Sequence, residues 1–210
     1  MSALALSLLL MAGAPADEGA MRNDVLRNYF SCATSRRHDQ MVELLSATNE
    51  DDYSQAVKTL TDVDRCASEN DVEAAAPMLG AMGPKRAFVR GVVAEELIKT
   101  APKRQLKALP VSPKVSLRPW FWTTGRVRAV DEMAVCVAES NPAGIEAVLA
   151  TKPGSRAQNT ALQALSPSLG ACLAKGFELN TGPTGLRAAL AEAYYHRLFD
   201  APPAGGKVTN

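Results

Sequence analysis

The sequence is poor in the residues and motifs from which enzymes and nucleic-acid-binding proteins usually build their sites. Its 23 basic and 22 acidic side chains leave a net charge of +1, so no overall field attracts a polyanion. It has two histidines, and neither stands at metal-ligand spacing from a cysteine or from the other. Phosphate-binding, dinucleotide-binding, H-E-x-x-H and G-x-S-x-G motifs are absent. We therefore predict no metal, no cofactor and no nucleic-acid partner.

Long hydrophobic runs are also lacking. The prominent apolar stretch, ALALSLLLMAGA at 3–14, is shorter than the roughly 20 residues that span a bilayer. No charged side chain precedes Asp17, and the A-P-A sequence at 14–16 matches a signal-peptide cleavage site, although the usual basic residue near the start is missing. We predict a signal peptide and a periplasmic or secreted location. A hydrophobic N-terminal helix of the folded protein is the alternative.

What is present is a helical pattern that occurs twice. Apolar residues recur at intervals of three and four with little strict alternation, which predicts an all-α protein. Aligning Cys32 with Cys136 also aligns MVELL at 41–45 with IEAVL at 145–149, and each block runs into a polar turn. Such internal repetition is typical of a chain built from two similar units.

The repeat predicts the domain organisation. We expect a signal peptide at 1–16, a first helical repeat at 21–99, a basic connector with proline and tryptophan at 100–125, a second helical repeat at 126–198 and a disordered tail at 199–210. Each repeat has about three helices, the first of them broken. The expected spans are 21–36, 39–46, 52–68 and 84–99, then 126–139, 142–150, 155–172 and 183–198. Asn141 before Pro142, and Ser155 with Gln158, supply capping signals.

Four cysteines follow the N-terminal segment: Cys32, Cys66, Cys136 and Cys172. Four cysteines allow three pairings. The midpoint of the first two is Asn49, the midpoint of the last two is Gly154, and both midpoints fall in polar turns. Residues equidistant from a turn between antiparallel helices lie at the same height, which brings two cysteines within disulfide range. We therefore predict Cys32–Cys66 and Cys136–Cys172, in preference to a zinc site or a reactive thiol.

The third helix of each repeat has two distinct stripes on a helical wheel. RGVVAEEL at 90–97 corresponds to RAALAEAY at 187–194. One stripe is apolar and is expected in the core: Val89, Val92, Val93 and Leu97, with Leu186, Ala189, Leu190 and Tyr194 as counterparts. The other stripe is of small residues: Ala87, Gly91 and Ala94, with Thr184, Ala188 and Ala191. Small residues let a second helix approach closely.

The same helices share an arginine and a glutamate. Arg90 and Glu95, like Arg187 and Glu192, are five positions apart, which points them away from each other and excludes an i,i+4 ion pair. We expect each arginine to hydrogen-bond carbonyls at a neighbouring helix end. Each glutamate then meets a basic group from the other repeat or faces solvent. A pair of glutamates acting as acid and base in an envelope-polymer hydrolase is the alternative.

The stretch 101–128 has seven basic residues, four prolines and no acidic residue. Its candidate binding residues are Lys103, Arg104, Lys107, Lys114, Arg118, Trp120 and Trp122. Basic charge with aromatic rings suits an anionic surface. The other interpretation is a proline-stiffened linker whose aromatics dock on the helices and whose charges are solvated.

The two repeats also resemble a protein family. The resemblance lies in the segments F-S-C-A with V-E-L-L, V-C-V-A with A-V-L-A-T-K-P-G-S, A-C-L, and L-R-A-A-L-A-E-A-Y. These segments are similar to a Cys…Cys…LRxxLAEALY module of small exported helical proteins from alphaproteobacteria. The resemblance covers both repeats and is closer in the second. It implies an exported helical protein of a Gram-negative bacterium and brings no activity, cofactor or catalytic residue.

These features favour a non-catalytic periplasmic protein that binds or supports another envelope component, in contact with a membrane only peripherally if at all. The envelope-polymer hydrolase with Glu95 and Glu192 and the binding of an anionic surface through 101–128 are the alternative functions.

Overall fold

The computed structural model describes residues 16–61, 66, 84–102, 105–112 and 115–200. Within them the protein has eight α-helices, one 3-10 helix and no strand, so the all-α prediction is confirmed. The α-helices are α1 (Ala16–Thr34), α2 (His38–Ser46), α3 (Glu50–Thr61), α4 (Pro84–Thr100), α5 (Arg128–Ser140), α6 (Pro142–Leu149), α7 (Arg156–Cys172) and α8 (Pro183–Phe199). The 3-10 helix η1 (Pro119–Thr123) lies between α4 and α5.

Most helix bounds agree with the sequence pattern to within a few residues. The largest difference is at α1, which begins at Ala16 rather than at 21. Several predictions lie outside the described residues: the apolar run at 3–14, the end of the helix expected at 52–68, and the tail from 201 onward. The basic residues Lys103, Arg104 and Lys114 lie outside them as well. None of the described helices is long and apolar enough to span a bilayer.

Local capping interactions produce the helix breaks of the second repeat. The Asn141 side chain accepts a hydrogen bond from Gly144 N–H at 3.0 Å, at the start of α6. Ser155 Oγ accepts one from Gln158 N–H at 3.1 Å, at the start of α7. In a capping box the Gln158 side chain would accept a hydrogen bond from the N–H of Ser155. Here Gln158 Oε1 accepts from the N–H of Gly154 instead. Gly154 can take part since it adopts a φ of 74° that few other residues tolerate.

Each repeat has its own hydrophobic core. In the first, α1 to α4 bury side chains that include Leu26, Phe30, Leu44 and Leu97. In the second, η1 and α5 to α8 bury a separate set that includes Met133, Ile145, Leu165 and Leu190. The predicted apolar stripes of both third helices are buried in these cores. The division into two cores follows the division into two repeats.

The two repeats join where α4 crosses α8, which is the most extensive helix–helix contact among the described elements. A Cβ placed on Gly91 would lie 2.3 Å from the Cβ of Ala188, so the two backbones touch. Gly91 and Ala188 occupy equivalent positions in the two repeats, and each helix therefore meets its own counterpart. The prediction of a close helix approach is confirmed. Thr184 is an exception to the predicted small stripe, because it lies exposed in the first turn of α8.

Both predicted disulfides are present. Cys32 and Cys66 are joined with their Cα atoms 5.8 Å apart, and Cys136 and Cys172 with theirs 5.6 Å apart. The first links α1 to the chain beyond α3, and the second links α5 to the end of α7. Each bond therefore closes one repeat, and none crosses between them. Two disulfides are consistent with an oxidising compartment.

Candidate functional site

Arg90 is the largest fully buried side chain of the described residues. Its Nη1 and Nη2 donate hydrogen bonds to the carbonyls of Leu44 and Leu45, at 2.6 and 2.7 Å. These carbonyls belong to the last turn of α2, where no helical N–H remains to satisfy them. Arg90 Nε donates to Glu192 Oε1 of the other repeat at 2.6 Å. One guanidinium thus caps a helix of its own repeat and pairs with a carboxylate of the other.

Arg187 repeats this arrangement in the second half of the chain. It donates to the carbonyls of Val148 and Leu149 in the last turn of α6, at 2.8 and 3.0 Å. In the alignment of the repeats, Val148 and Leu149 correspond to Leu44 and Leu45, whose carbonyls accept from Arg90. Its Nε and Nη2 donate to the two oxygens of Glu95 at 2.8 and 2.9 Å. The expectation that each repeated arginine binds carbonyls at a neighbouring helix end is confirmed, and each repeated glutamate meets the arginine of the other repeat.

A further cluster of charges surrounds Glu192. Arg126 Nη2 donates to Glu192 Oε2, and its Nε donates to Asp131 Oδ1 at 2.5 Å. The hydroxyl of Thr124 donates to the other oxygen of Asp131 at 2.7 Å. With Arg90 included, two cations face two anions, so the charges of this buried cluster balance.

The electrostatics of the cluster keep Glu192 ionised. Burial by itself raises the pKa of Glu192, but the charges on Arg126 and Arg90 outweigh it and lower the pKa to about 2. Burial lowers the pKa of Arg126, yet Glu192 and Asp131 raise it by more. For Asp131 burial dominates and raises the pKa despite the neighbouring Arg126. Glu192 is therefore a carboxylate at neutral pH and has no proton to donate as an acid.

Glu95 is engaged as fully as Glu192. Besides Arg187, it accepts hydrogen bonds from Arg27 Nη1 at 2.9 Å and from Arg27 Nη2 at 3.4 Å. Each carboxylate oxygen of Glu95 therefore has two guanidinium donors. Neither repeated glutamate has a free oxygen directed at a substrate, and this geometry disfavours an acid/base role for the pair.

The aromatic residues of the connector are divided between core and surface. Trp120 is 5% exposed, and its ring stacks on that of His196 with centroids 4.2 Å apart. Trp120 therefore lies within the second core, as expected for an aromatic side chain docked on the helices. Trp122, two residues further, is 70% exposed. The docked-aromatics interpretation holds for Trp120 and Phe121 and fails for Trp122.

The basic residues of the connector are also divided. Arg126 is buried in the charge cluster, so the expectation that the basic side chains are all solvated is wrong for it. Arg118 donates to Glu139 at 3.2 Å, and Arg128 pairs with Glu132 at 2.6 Å while remaining largely exposed. Lys107 is exposed, and its backbone carbonyl accepts a hydrogen bond from Arg197.

Among the described residues, one cavity lies between the two repeats and another lies on the second repeat. The seam cavity, of about 700 Å³, lies between α4, the start of the connector, α6 and α8, and its lining includes Glu95, Glu146 and Tyr194. The smaller end cavity, of about 270 Å³, lies beside Trp120 and His196. His196 Nδ1 is 2.8 Å from Asp200 Oδ2. Across the described residues no group of three His, Cys, Asp or Glu side chains is arranged to hold a metal ion.

Several polar residues of these sites are not evident from the repeat. The sequence does indicate a buried role for Asp131, because this acidic residue stands on the apolar face of its helix, one turn before Val135. Nothing in the sequence indicates the roles of Arg27 and Arg126, because their glutamate partners are distant in sequence. Glu146 likewise reads as an ordinary surface residue.

No protein-family model, curated protein or solved structure matches the chain. The resemblance to exported alphaproteobacterial proteins stays a prediction.

Proposed function

We propose that this chain is a non-catalytic protein of the bacterial periplasm that attaches to the anionic surface of a phospholipid membrane. Its location is supported by the two disulfides and by the signal-like apolar run at 3–14. A non-catalytic role is supported by Glu95 and Glu192, whose oxygens are taken up by guanidinium groups.

The observation that carries the proposal is the position of the exposed apolar side chains. Six large hydrophobic side chains are exposed in the described residues, and five of them lie within 101–128: Leu109, Val111, Leu117, Trp122 and Val127. The same stretch has seven basic residues and no acidic one. We call these five side chains, together with the exposed Lys107 and Arg128, the connector surface.

Trp122 is held in a defined place on this surface. Its neighbours Trp120 and Phe121 are buried, and Thr123 Oγ1 donates to the carbonyl of Ala47 at 2.7 Å. The short helix η1 is therefore fastened to both repeats. An exposed ring on an ordered backbone loses little conformational entropy when it inserts into an interface.

A lipid surface fits this combination better than a soluble polyanion does. A polyanion satisfies the basic groups but leaves leucine and valine side chains in water. The interface of an anionic bilayer accommodates both, since basic residues gain about 1 kcal/mol each near the surface and apolar side chains enter the boundary region. Tryptophan favours that region because its ring is amphipathic.

Intrinsic fluorescence with vesicles tests the proposal. The chain has two tryptophans, one buried and one 70% exposed, so a spectral change on vesicle addition reports mainly on Trp122. We expect a blue shift and co-sedimentation with vesicles containing phosphatidylglycerol. Both effects should weaken on pure phosphatidylcholine and at high salt, because the charge contribution is screened.

Two variants make the test specific. Trp122→Ala should lower the vesicle partition coefficient by about tenfold, as expected for the loss of one inserted aromatic side chain. Phe199→Ala is the matched control, since Phe199 is also exposed but lies outside the connector. Equal binding to neutral and anionic vesicles, or wild-type binding by the Trp122 variant, would refute attachment through the connector surface.

A further inference from the structure

The seam cavity has the size and the walls of a small-molecule site. Its volume of about 700 Å³ lies within the range of ligand pockets in proteins. Ile98, Leu149 and Leu198 line it with apolar surface, and they come from α4, α6 and α8. Because both repeats contribute walls, the cavity exists only in the assembled fold.

Two of the charged groups at the cavity already have partners of opposite charge. Glu95 is enclosed by the guanidinium groups of Arg187 and Arg27. Lys99 Nζ donates to Glu96 at 2.6 Å. Neither Glu95 nor Lys99 is therefore free to pair with a ligand, and Glu95 with its two arginines carries one net positive charge.

Glu146 is different. It is exposed on α6, and among the described residues no arginine, lysine or histidine forms an ion pair with it. The hydroxyl of Tyr194 donates to its Oε1, which orients the carboxylate at the cavity. Burial, and next the hydrogen bond to Glu146, raises the pKa of Tyr194, so the phenol remains a donor at neutral pH. The second oxygen of Glu146 is left for another donor.

The geometry points to a binding site in the seam cavity for a small molecule that has an apolar body and one ammonium group. The ammonium hydrogen-bonds the Glu146 carboxylate, and the apolar body covers Ile98, Leu149 and Leu198. A charge-assisted hydrogen bond of this kind is stronger than a neutral one. The site does not depend on membrane attachment through the connector surface, since it uses a different part of the molecule.

Three probes of equal length test the site: n-octylammonium, n-octanol and octanoate, each titrated below its self-association concentration and followed by NMR chemical shifts. We expect octylammonium to bind about tenfold more tightly than octanol, and octanoate to bind most weakly. Octanoate tests the opposite charge preference, which the net positive charge of Glu95 and its two arginines would produce.

Glu146→Gln should reduce octylammonium binding to the level of octanol while the fold persists, because the side chain is exposed. Glu178→Gln, an exposed glutamate outside the cavity, should leave all three affinities unchanged. The assignment would be overturned if octanoate bound more tightly than octylammonium, if octanol bound as tightly as octylammonium, or if no probe bound. It would also be overturned if Glu146→Gln discriminated among the probes as the wild type does. Vesicle binding measured on the same variants separates this result from the test of the proposed function.

Discussion

At the scale of single residues, the most unusual feature is the burial of repeated charges. Arg90 and Glu192 are wholly buried, and Arg187 and Glu95 nearly so. Burying an ion pair costs desolvation energy that is recovered only when every donor and acceptor is matched. Here three separate nitrogens of the arginine fork serve two helix-end carbonyls and one carboxylate at once, whereas the donors of lysine all lie on one nitrogen.

Replacing Glu192 should therefore be strongly destabilising. Glu192→Gln leaves Arg90 and Arg126 buried without their shared anion, and we expect the free energy of unfolding at pH 7 to fall by about 3–5 kcal/mol. Urea denaturation followed by circular dichroism measures the change. Glu43→Gln, an exposed glutamate of α2, is the control and should change stability by less than about 0.5 kcal/mol. A loss in Glu192→Gln as small as that of the control would contradict a structural role.

The stability of the wild type and that of Glu192→Gln should depend differently on pH. The pKa of Glu192 is about 2 in the folded protein, against the ordinary glutamate value of 4.5 in the unfolded chain. A lowered pKa stabilises the fold above pH 4.5 and loses that effect as the pH falls toward 2. The stability difference between wild type and Glu192→Gln should thus shrink over this range. A difference that is constant from pH 7 to pH 3 would show that the Glu192 charge is not responsible.

At the scale of elements, the crossing of α4 and α8 organises the molecule. Small residues at the crossing let the two backbones touch, and this brings each arginine within reach of the glutamate on the other helix. Close packing and ion pairing therefore depend on each other. A larger residue at the crossing should disturb both.

Two glycine substitutions separate packing from helix propensity. Gly91→Ala places a Cβ 2.3 Å from that of Ala188, and we expect it to destabilise the protein by about 1–3 kcal/mol even though alanine favours helices. Gly170→Ala, in α7, meets no atom within 4 Å and should be neutral or stabilise by up to about 1 kcal/mol. Thermal denaturation compares them, and a stabilised Gly91 variant would rule out the close crossing.

At the scale of the whole molecule, the protein consists of two disulfide-closed repeats that share one interface. Each repeat has its own core, while α8 also places Ala191 and Tyr195 in the first core. The buried ion pairs span the same interface. We therefore expect the repeats to unfold together rather than as separate domains.

Removing either disulfide tests this coupling. The bonded cysteines are 34 and 36 positions apart. In the chain-entropy model, loss of either bond should lower the free energy of unfolding by about 4 kcal/mol. The two double variants are Cys32→Ser with Cys66→Ser, and Cys136→Ser with Cys172→Ser. Tryptophan fluorescence reports on the second repeat and circular dichroism on all helices. The two signals should give one coincident transition in each variant; separate transitions would mean that the repeats unfold independently.

The all-α class, most helix positions and both disulfides could be predicted from the sequence, because they depend on local periodicity and on symmetric spacing about a turn. The sequence could predict that Arg90 and Arg187 bind helix-end carbonyls, although not which ones. An arginine at the edge of an apolar stripe is partly buried and needs acceptors close by. Arg27 and Arg126 could not be assigned, because each pairs with a glutamate more than sixty positions away. The roles of Trp120 and Trp122 likewise depend on which ring the short helix η1 turns inward.

The sequence by itself determined the repeated helical units and the covalent bonds within each of them. Both follow from interactions between residues that are near in the chain or symmetric about one turn. The tertiary structure alone decided that the repeats face each other through their third helices, that Arg90 meets Glu192 and Arg187 meets Glu95, and that a cavity remains beside Glu146. These outcomes depend on how closely two backbones can approach in space, and Gly91 and Ala188 permit that approach only when the whole fold brings them together.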